Sequence, residues 1–295
     1  MNISSPAQNH EQSPALEYTA ACRRVLDRVE EQTEAIRAAA EIFSRTILHG
    51  RSVHVFASGH SRILVDELWP RYGSFPGFNP IVELSLTFHN LVVGANGQRQ
   101  AMFIENVSGL AARILRNFGV ESLDSALVMS SGGTTVVATE MAEILQEKGI
   151  PVVAIVSAEH SKAAASKRDD GRKLPDFADI VLDSGAPAGD AAIRIPGLET
   201  PVAPLSTVGG CTLINAVKAE LARILTEAGA PPPVLTGPMV VGAERSAELF
   251  ELAYDEHAHR MAKVYEGAGR TQYAAGAAGE GAVPRRGGDA AAGEP

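Results

Sequence analysis

The amino-acid sequence predicts an α/β protein with three layers, in which a five-stranded parallel sheet lies between two layers of helices. Two observations carry this prediction. Short apolar runs of strand type alternate with amphipathic helical segments, a pattern typical of βαβ units with right-handed crossovers. Several of the runs are apolar at nearly every position, as expected for strands that are buried on both faces of a parallel sheet.

The first part of the chain supplies an amino-terminal helix and two strands. Pro14 to His49 carries apolar residues at helical spacing and predicts one long helix, or two, packed on the sheet. Ser52 to Ala57 alternates like a strand, and Arg62 to Trp69 is typical of a short helix. A second strand is predicted at Pro80 to Leu86.

The remaining elements are predicted from the same periodicities and from turn residues. Two helices at the carboxyl-terminal end should pack on the sheet. In chain order, the predictions are a loop at Gly94–Gln100, a helix at Glu105–Phe118, strands at Leu123–Met129, Pro151–Ser157 and Asp179–Leu182, a small hairpin around Ile193–Ile195, and helices at Ser206–Gly229 and Ala243–Tyr265.

The most informative stretch runs from Leu127 to Glu140. It passes from a buried strand into a turn of hydroxyl residues and glycines, and then into an amphipathic helix. Free backbone N–H groups and the positive end of a helix dipole meet at such a turn, which makes it a candidate anion site. The turn contains Ser130, Ser131, Gly132, Gly133, Thr134 and Thr135. A helix cap needs one hydroxyl residue and this turn has four, although capping alone is the alternative.

A second junction of the same kind follows the first strand. Ser58, Gly59, His60 and Ser61 lie between that strand and the next helix. The carboxyl ends of parallel strands meet at one edge of a sheet, so both turns could converge on a single ligand. The sequence has no Gly-Lys-Ser/Thr phosphate loop and no G-x-G-x-x-G after a strand, so a nucleotide is a poor candidate.

The turn Ser131-Gly132-Gly133-Thr134 after a buried strand resembles the hallmark of sugar isomerase (SIS) domains, S-x-S-G-x-T. Ser58 to Ser61 resembles their other phosphate loop. The segments Glu159–Asp183, Gly185–Asp190 and Ser206–Asn215 are similar to the phosphoheptose-isomerase-like subgroup of single-domain bacterial SIS proteins. The resemblance extends from Leu16 to Tyr265. One departure is that the first Ser of the hallmark falls on Met129, so one phosphate donor is missing or supplied elsewhere.

This resemblance implies a SIS, flavodoxin-like α/β/α sandwich that binds a phosphorylated sugar or amino sugar as a homodimer or homotetramer. It also implies isomerisation by carboxylate proton transfer. A phosphosugar lyase or etherase and a non-catalytic phosphosugar sensor are the alternatives. The predicted phosphate- and substrate-binding residues are Ser58, Gly59, Ser61, Ser130, Ser131, Gly132, Thr134 and Asn215.

Glu67 is the predicted proton-transfer group, with His60 as its partner. Glu67 follows Ser61 by six residues, or about 9 Å along a helix axis, which is comparable to the span from a sugar phosphate to the carbon near its carbonyl. In phosphoheptose isomerase, which the chain resembles, a Glu of the corresponding helix has this role. Asp66 could be the true equivalent, and a solvated or salt-bridged Glu67 is the structural alternative. Ser206–Leu221 lacks the late-helix His of these isomerases.

Composition sets limits on partners and location. The formal net charge is −9, which argues against a nucleic-acid surface because such surfaces are basic. No cofactor is expected, and no His, Asp or Glu spacing predicts a metal. The sequence shows neither an apolar signal-peptide core nor a membrane-length run, so we expect a cytoplasmic protein. Residues 1–14 and the Gly/Ala-rich residues 267–295 are predicted to be disordered, which leaves residues 15–266 as the phosphosugar-binding domain.

Overall fold

The computed structural model describes residues 13–87, 97–266 and 268, which form a five-stranded sheet and a separate two-stranded hairpin. The strands of the sheet are all parallel and lie in the order β2-β1-β3-β4-β5. They are β1 (Val53–Ala57), β2 (Phe78–Ile81), β3 (Ser125–Met129), β4 (Val152–Val156) and β5 (Ile180–Asp183). The hairpin pairs β6 (Ala191–Ile193) antiparallel with β7 (Val202–Pro204).

Helices connect the strands and cover both faces of the sheet. The amino-terminal segment forms two helices, which settles the choice between one and two. In chain order the helices are α1 (Pro14–Glu30), α2 (Thr33–Leu48), α3 (Ile63–Leu68), α4 (Leu84–Thr87), α5 (Gly97–Ile104), α6 (Leu110–Leu115), α7 (Val136–Glu147), α8 (Ala158–Ala163), α9 (Ser206–Glu227), α10 (Pro238–Val241) and α11 (Ala243–Glu266). Short 3₁₀ helices span Gly59–Arg62 and Leu174–Phe177.

The three central strands, β1, β3 and β4, are buried on both faces, because their side chains point alternately into two apolar clusters. Leu127 and Met129 belong to the cluster that includes residues of α2, α3 and α9, whereas Val128 belongs to the cluster that includes residues of α6 and α7. Every residue of β1, β3 and β4 is buried. The predicted three-layer α/β/α sandwich is therefore confirmed.

Three predicted boundaries are wrong, and one of them is that of the helix expected at Glu105–Phe118, which spans only Leu110–Leu115. The second strand covers Phe78–Ile81, ahead of the predicted Pro80–Leu86, because Phe78 to Ile81 are the residues that pair with Val53 to Phe56 of β1. Helix α5 begins at Gly97, where a loop over Gly94–Gln100 was expected. Residues 94–96 of that loop lie outside the described residues. So do residues 1–12, 267 and 269–295 of the ends that the sequence predicts to be disordered, and α1 begins at Pro14.

A buried network of charged and polar side chains lies at the amino-terminal edge of the sheet. Arg51 donates from Nε and Nη2 to the two carboxylate oxygens of Asp124, at 2.8 and 2.9 Å. His54 Nε2 lies 3.1 Å from Asp124 Oδ2, and Asn79 Nδ2 lies 2.9 Å from His54 Nδ1. The four residues are between 1% and 8% exposed. Hydrogen bonds between these side chains thus connect β1 with β2 and with the start of β3.

A close contact fixes the long helix α9 against the end of β5. The helix has Gly209 at this point, and a Cβ atom there would lie 1.8 Å from the backbone oxygen of Ser184. Only glycine permits this approach, since the obstacle is backbone and has no side chain that can move aside. None of the helices in the described ranges has the length and apolar character that a membrane span requires.

Candidate functional site

The sheet order places two turns side by side. β1 has β2 on one side and β3 on the other, so the connections from β1 and β3 lead away in opposite directions. This is the topological switch point, where ligands bind in open α/β sheets. Ala57 at the end of β1 is in register with Met129 at the end of β3. The first turn (residues 58–62) and the second turn (residues 130–135) are therefore neighbours at the carboxyl edge.

The second residue of the first turn is a glycine in the left-handed region. Gly59 has φ of +56° and starts the 3₁₀ helix that leads into α3. Ser58 donates from Oγ to Glu105 Oε2 at 2.9 Å, and a Cβ atom on Gly59 would lie 3.6 Å from the same oxygen. Glycine thus allows the chain to turn immediately after the strand, close to an acidic side chain of another element.

The second turn is held by main-chain hydrogen bonds to the neighbouring strand β4 and to Ser157, which follows that strand. Ser130 N donates to Ile155 O at 3.1 Å, and Ser157 N donates to Ser131 O at 2.7 Å. Gly133 has φ of +64°, and its N–H donates to Ser130 O at 3.0 Å. Thr135 then occupies the N-cap position of α7. These bonds fix the backbone of the turn without using the hydroxyl of Ser131.

Two cavities adjoin the turns. The larger cavity has a volume of about 380 Å³ and the smaller one about 210 Å³. His60, Ser61, Ser130 and Ser131 line both. The larger cavity is also lined by Leu64, Ile155, Val156, Ser184, Asp190, Pro204, Ser206 and Thr207. The smaller cavity is also lined by Ser58, Gly59, Gln98, Ala101, Met102, Glu105, Gly132 and Thr135.

Two serine hydroxyls of the larger cavity have no hydrogen-bond partner in the described part of the chain. They are the buried Oγ atoms of Ser131 and Ser184. Leaving a buried polar group unsatisfied costs about 1–3 kcal/mol, so native proteins seldom retain one without a role. Both residues line the larger cavity, so each is a candidate hydrogen-bond donor to a ligand there.

Glu67 and Asn215, two of the predicted site residues, lie together, and neither lines either cavity. Asn215 Nδ2 donates to Glu67 Oε1 at 2.6 Å, and Arg71 donates to Glu67 Oε2. Lys218 Nζ donates to the backbone oxygen of Glu67 at 2.9 Å. Burial raises the pKa of Glu67, but the hydrogen bonds from Asn215 and Arg71 and the charges of Arg71 and Lys218 outweigh it. The pKa of Glu67 therefore lies below its ordinary value.

Asp66, the alternative to Glu67, has a different setting. Its Oδ1 lies 3.1 Å from Arg62 Nη2, and 54% of its side chain is exposed, against 16% for Glu67. Thr134 lines neither cavity, and the neighbouring Thr135 lines the smaller one. The predicted residues thus divide into the serines, glycines and His60 around the cavities, the Glu67–Asn215 pair, and Thr134 outside both.

The structure adds residues that sequence reasoning missed or ranked low. Glu105 enters the smaller cavity from the end of α5, a placement that the chain order does not reveal. His160 lies over the second turn, with Nε2 3.3 Å from where a Cβ atom on Gly132 would stand. Its Nδ1 is buried without a partner in the described residues. The sequence signal for His160 was its position four residues after the strand β4, at the same edge as the turns.

The cavities hold few charges. Their lining residues, all within the described ranges, include the acids Asp190 and Glu105 and the imidazole of His60, but neither Lys nor Arg. Within the same ranges, His, Cys, Asp and Glu side chains do not gather into a group of three that could hold a metal ion. An anion at the turns would therefore depend on N–H and O–H donors.

Comparison with known proteins adds independent findings. A family model described as a SIS domain matches residues 17–157. A UPF0309 protein of Halalkalibacterium halodurans is 31% identical over 229 residues, covering 77% of this chain and 92% of the relative. A UPF0309 protein of Brucella anthropi is 32% identical over 226 residues, covering 77% and 90%. Phosphoheptose isomerase from Neisseria gonorrhoeae gives a TM-score of 0.43 at 13% identity, covering 72% of this chain and 96% of that one. The sugar isomerase domain of the RpiR transcription factor from Sphaerobacter thermophilus gives a TM-score of 0.41 at 17% identity. The match covers 81% of this chain and 97% of that one.

Proposed function

The chain belongs to the UPF0309 family and contains a SIS domain, and we propose that it binds a phosphorylated sugar or amino sugar at the two turns. We further propose that it isomerises this ligand by carboxylate proton transfer. The proposal includes a homodimer or homotetramer in the cytoplasm and requires no cofactor.

One observation carries the binding proposal: the two Ser/Gly turns line the same cavities at the switch point of the sheet. A phosphate there would receive hydrogen bonds from serine hydroxyls and from backbone N–H groups near the start of α7. Each charge-assisted bond contributes about 1.5–3 kcal/mol. The dipole of α7 adds about 0.3–1 kcal/mol.

The size of the larger cavity supports recognition of the sugar as well as the phosphate. Association costs about 4–15 kcal/mol, so a few phosphate contacts alone would bind weakly. Ligand pockets typically enclose about 300–1,000 Å³, and the larger cavity, at about 380 Å³, suits one small sugar phosphate. Its walls combine hydroxyls with the apolar side chains of Leu64, Ile155 and Val156, which fits the mixed surface of a sugar ring.

A test of binding compares Ser131→Ala with Ser52→Ala. Both changes remove a buried hydroxyl that has no partner in the described residues, but Ser52 precedes β1 at the opposite edge of the sheet. We expect Ser131→Ala to weaken phosphosugar binding about 10- to 100-fold, since one charge-assisted bond is lost. Ser52→Ala should bind like the wild type. Calorimetric titration with hexose and hexosamine monophosphates measures the affinity of each variant. Equal affinities for the two variants would show that Ser131 does not bind the ligand.

Glu67 and His60 remain the proposed proton-transfer groups. His60 lines both cavities, and Glu67 is the less exposed of the two acids on α3. We expect Glu67→Gln to lower turnover of a converted phosphosugar by at least about 100-fold, as loss of general base catalysis does. Asp66→Asn is the matched control and should retain activity. Conversion followed by NMR distinguishes isomerised from eliminated product, and full turnover by Glu67→Gln would exclude Glu67 as the base.

The non-catalytic sensor is the second candidate, and the environment of Glu67 favours it. Its carboxylate is held by Arg71 and Asn215, and its lowered pKa makes it a weaker base. It also lines neither cavity. A sensor would show phosphosugar-dependent increases in melting temperature with no conversion of any bound sugar. The same titration and NMR series therefore separates the two functions.

A further inference from the structure

The larger cavity has a second polar wall, which the two turns do not supply. Ser184 follows β5, and Asp190 lies at the start of the β6–β7 hairpin. Since β4 separates β3 from β5, the ends of β3 and β5 are about 10 Å apart across the sheet. The cavity therefore extends from the second turn to a wall built by the hairpin and the start of α9.

Asp190 is held in place by this wall. Its backbone has φ of +67°, and its carboxylate accepts three hydrogen bonds from the start of α9. Oδ1 accepts from the N–H groups of Leu205 and Ser206 at 3.0 and 2.7 Å, and Oδ2 accepts from Ser206 Oγ at 2.7 Å. The hairpin itself is anchored by Tyr18, whose hydroxyl donates to Pro204 O at 2.8 Å. Asp190 is thus a fixed charge in the cavity wall.

The hydrogen-bond count leaves Asp190 with capacity for one further donor. A carboxylate has about four acceptor positions, and donors within the described residues fill three of them. Among those residues Oδ2 accepts from Ser206 Oγ alone, so a ligand hydroxyl could donate to its other lone pair. A ligand phosphate, by contrast, would face a negative charge at this wall and would be repelled.

Because Asp190 can accept a hydrogen bond from a hydroxyl but repels a phosphate, we propose that it determines the orientation and the class of the bound sugar. The ligand is a monophosphate of a sugar whose far end is neutral and hydroxylated. Its phosphate occupies the turns, and a hydroxyl donates to Asp190 Oδ2. Sugar bisphosphates and phosphorylated sugar acids are rejected because their second negative group would meet Asp190. This inference rests on the proposed phosphosugar binding and assigns the specificity of the same site.

The test is a comparison of one sugar with one phosphate and with two, using full-length protein. We expect the wild type to bind glucose 6-phosphate at least about tenfold more tightly than glucose 1,6-bisphosphate, because the added phosphate is repelled at short range. Asp190→Asn should reduce this preference to about threefold or less. Asn keeps one oxygen that can accept from the N–H groups of Leu205 and Ser206, and its amide NH2 can donate to Ser206 Oγ in place of the bond that Oδ2 accepts, so the variant can still hold α9.

Glu199→Gln is the matched control. It removes the same charge from the exposed tip of the same hairpin, at a residue that lines neither cavity, and it should keep the wild-type preference. The wild-type measurement alone is also decisive, whether or not Asp190→Asn folds. Equal affinity for both sugars, or a preference that persists in folded Asp190→Asn, would overturn the role of Asp190. Failure to bind either sugar or inorganic phosphate would instead refute phosphosugar binding itself.

Discussion

Replacing Gly209 by alanine is expected to disrupt the packing of α9 on the sheet. The added Cβ atom would lie 1.8 Å from Ser184 O and 2.7 Å from Ser184 C. Neither atom can move without displacing the end of β5, so the helix must shift. Overpacking of this kind costs about 3 kcal/mol or more when backbone is the obstacle. Urea denaturation measures the free energy of unfolding, and ligand titration reports the effect on the larger cavity, which Ser184 lines.

The adjacent glycine provides the control. A Cβ atom on Gly210 would lie 2.7 Å from the two Cδ atoms of Leu64, and these are the ends of a side chain that can change rotamer. Gly210→Ala should therefore cost less than Gly209→Ala, and glycine-to-alanine replacement in a helix also brings a gain of about 1 kcal/mol. Equal stability of Gly209→Ala and the wild type would contradict the described contact between α9 and β5.

Replacing Asp124 by alanine is expected to lower the free energy of unfolding by about 3–5 kcal/mol, because it leaves the buried guanidinium of Arg51 without its main partner. The carboxylate accepts from Arg51 and from the N–H of Glu121, and it lies within hydrogen-bond distance of His54. Asp66→Ala is the control, since the exposed pair of Asp66 with Arg62 should contribute about 0–1 kcal/mol. Denaturant titration at pH 7 compares the two, and similar losses for both variants would contradict the prediction.

The same network predicts a loss of stability in acid. Burial raises the pKa of Asp124, but the hydrogen bonds from His54 and Arg51 outweigh it, so the pKa in the folded protein lies below the ordinary value. The stabilisation is therefore present above the unfolded-state pKa of about 3.9, and it disappears as pH falls through the lower folded-state pKa. As pH falls below about 4, the wild type should lose more free energy of unfolding than Asp124→Ala. Parallel pH profiles would exclude this contribution.

Much of the sheet could be predicted from the sequence because local pattern determines it. Runs such as Val152–Val156 are apolar throughout, and a strand buried on both faces needs such a run. Both turns were recognisable because serine and glycine follow such strands directly. The small hairpin was also confirmed, as β6 and β7, because its short strands lie among turn-forming residues.

Other features depend on tertiary contacts, which local pattern does not report. The helix at Gly97–Ile104 begins at a glycine and buries only Gly97 and Ala101, so it has no large buried apolar residue that would identify it in the sequence. Glu105 reaches the smaller cavity through the packing of α5, and Asp190 reaches the larger one through the hairpin. The ion pair that holds Glu67 depends on Arg71, one turn further along, and on Asn215 in a distant helix. Composition and spacing suggested a carboxylate near the site but not its distance from the cavities.

The β6–β7 hairpin gives the architecture a modular character. It brings Asp190 and Pro204 to the larger cavity, yet within the described residues it pairs with no strand of the central sheet. Its length and sequence could diverge among relatives without disturbing the scaffold that supports the turns. A changed β6–β7 hairpin could therefore give the protein a different ligand preference. Transferring this hairpin between family members is a direct way to alter ligand selectivity.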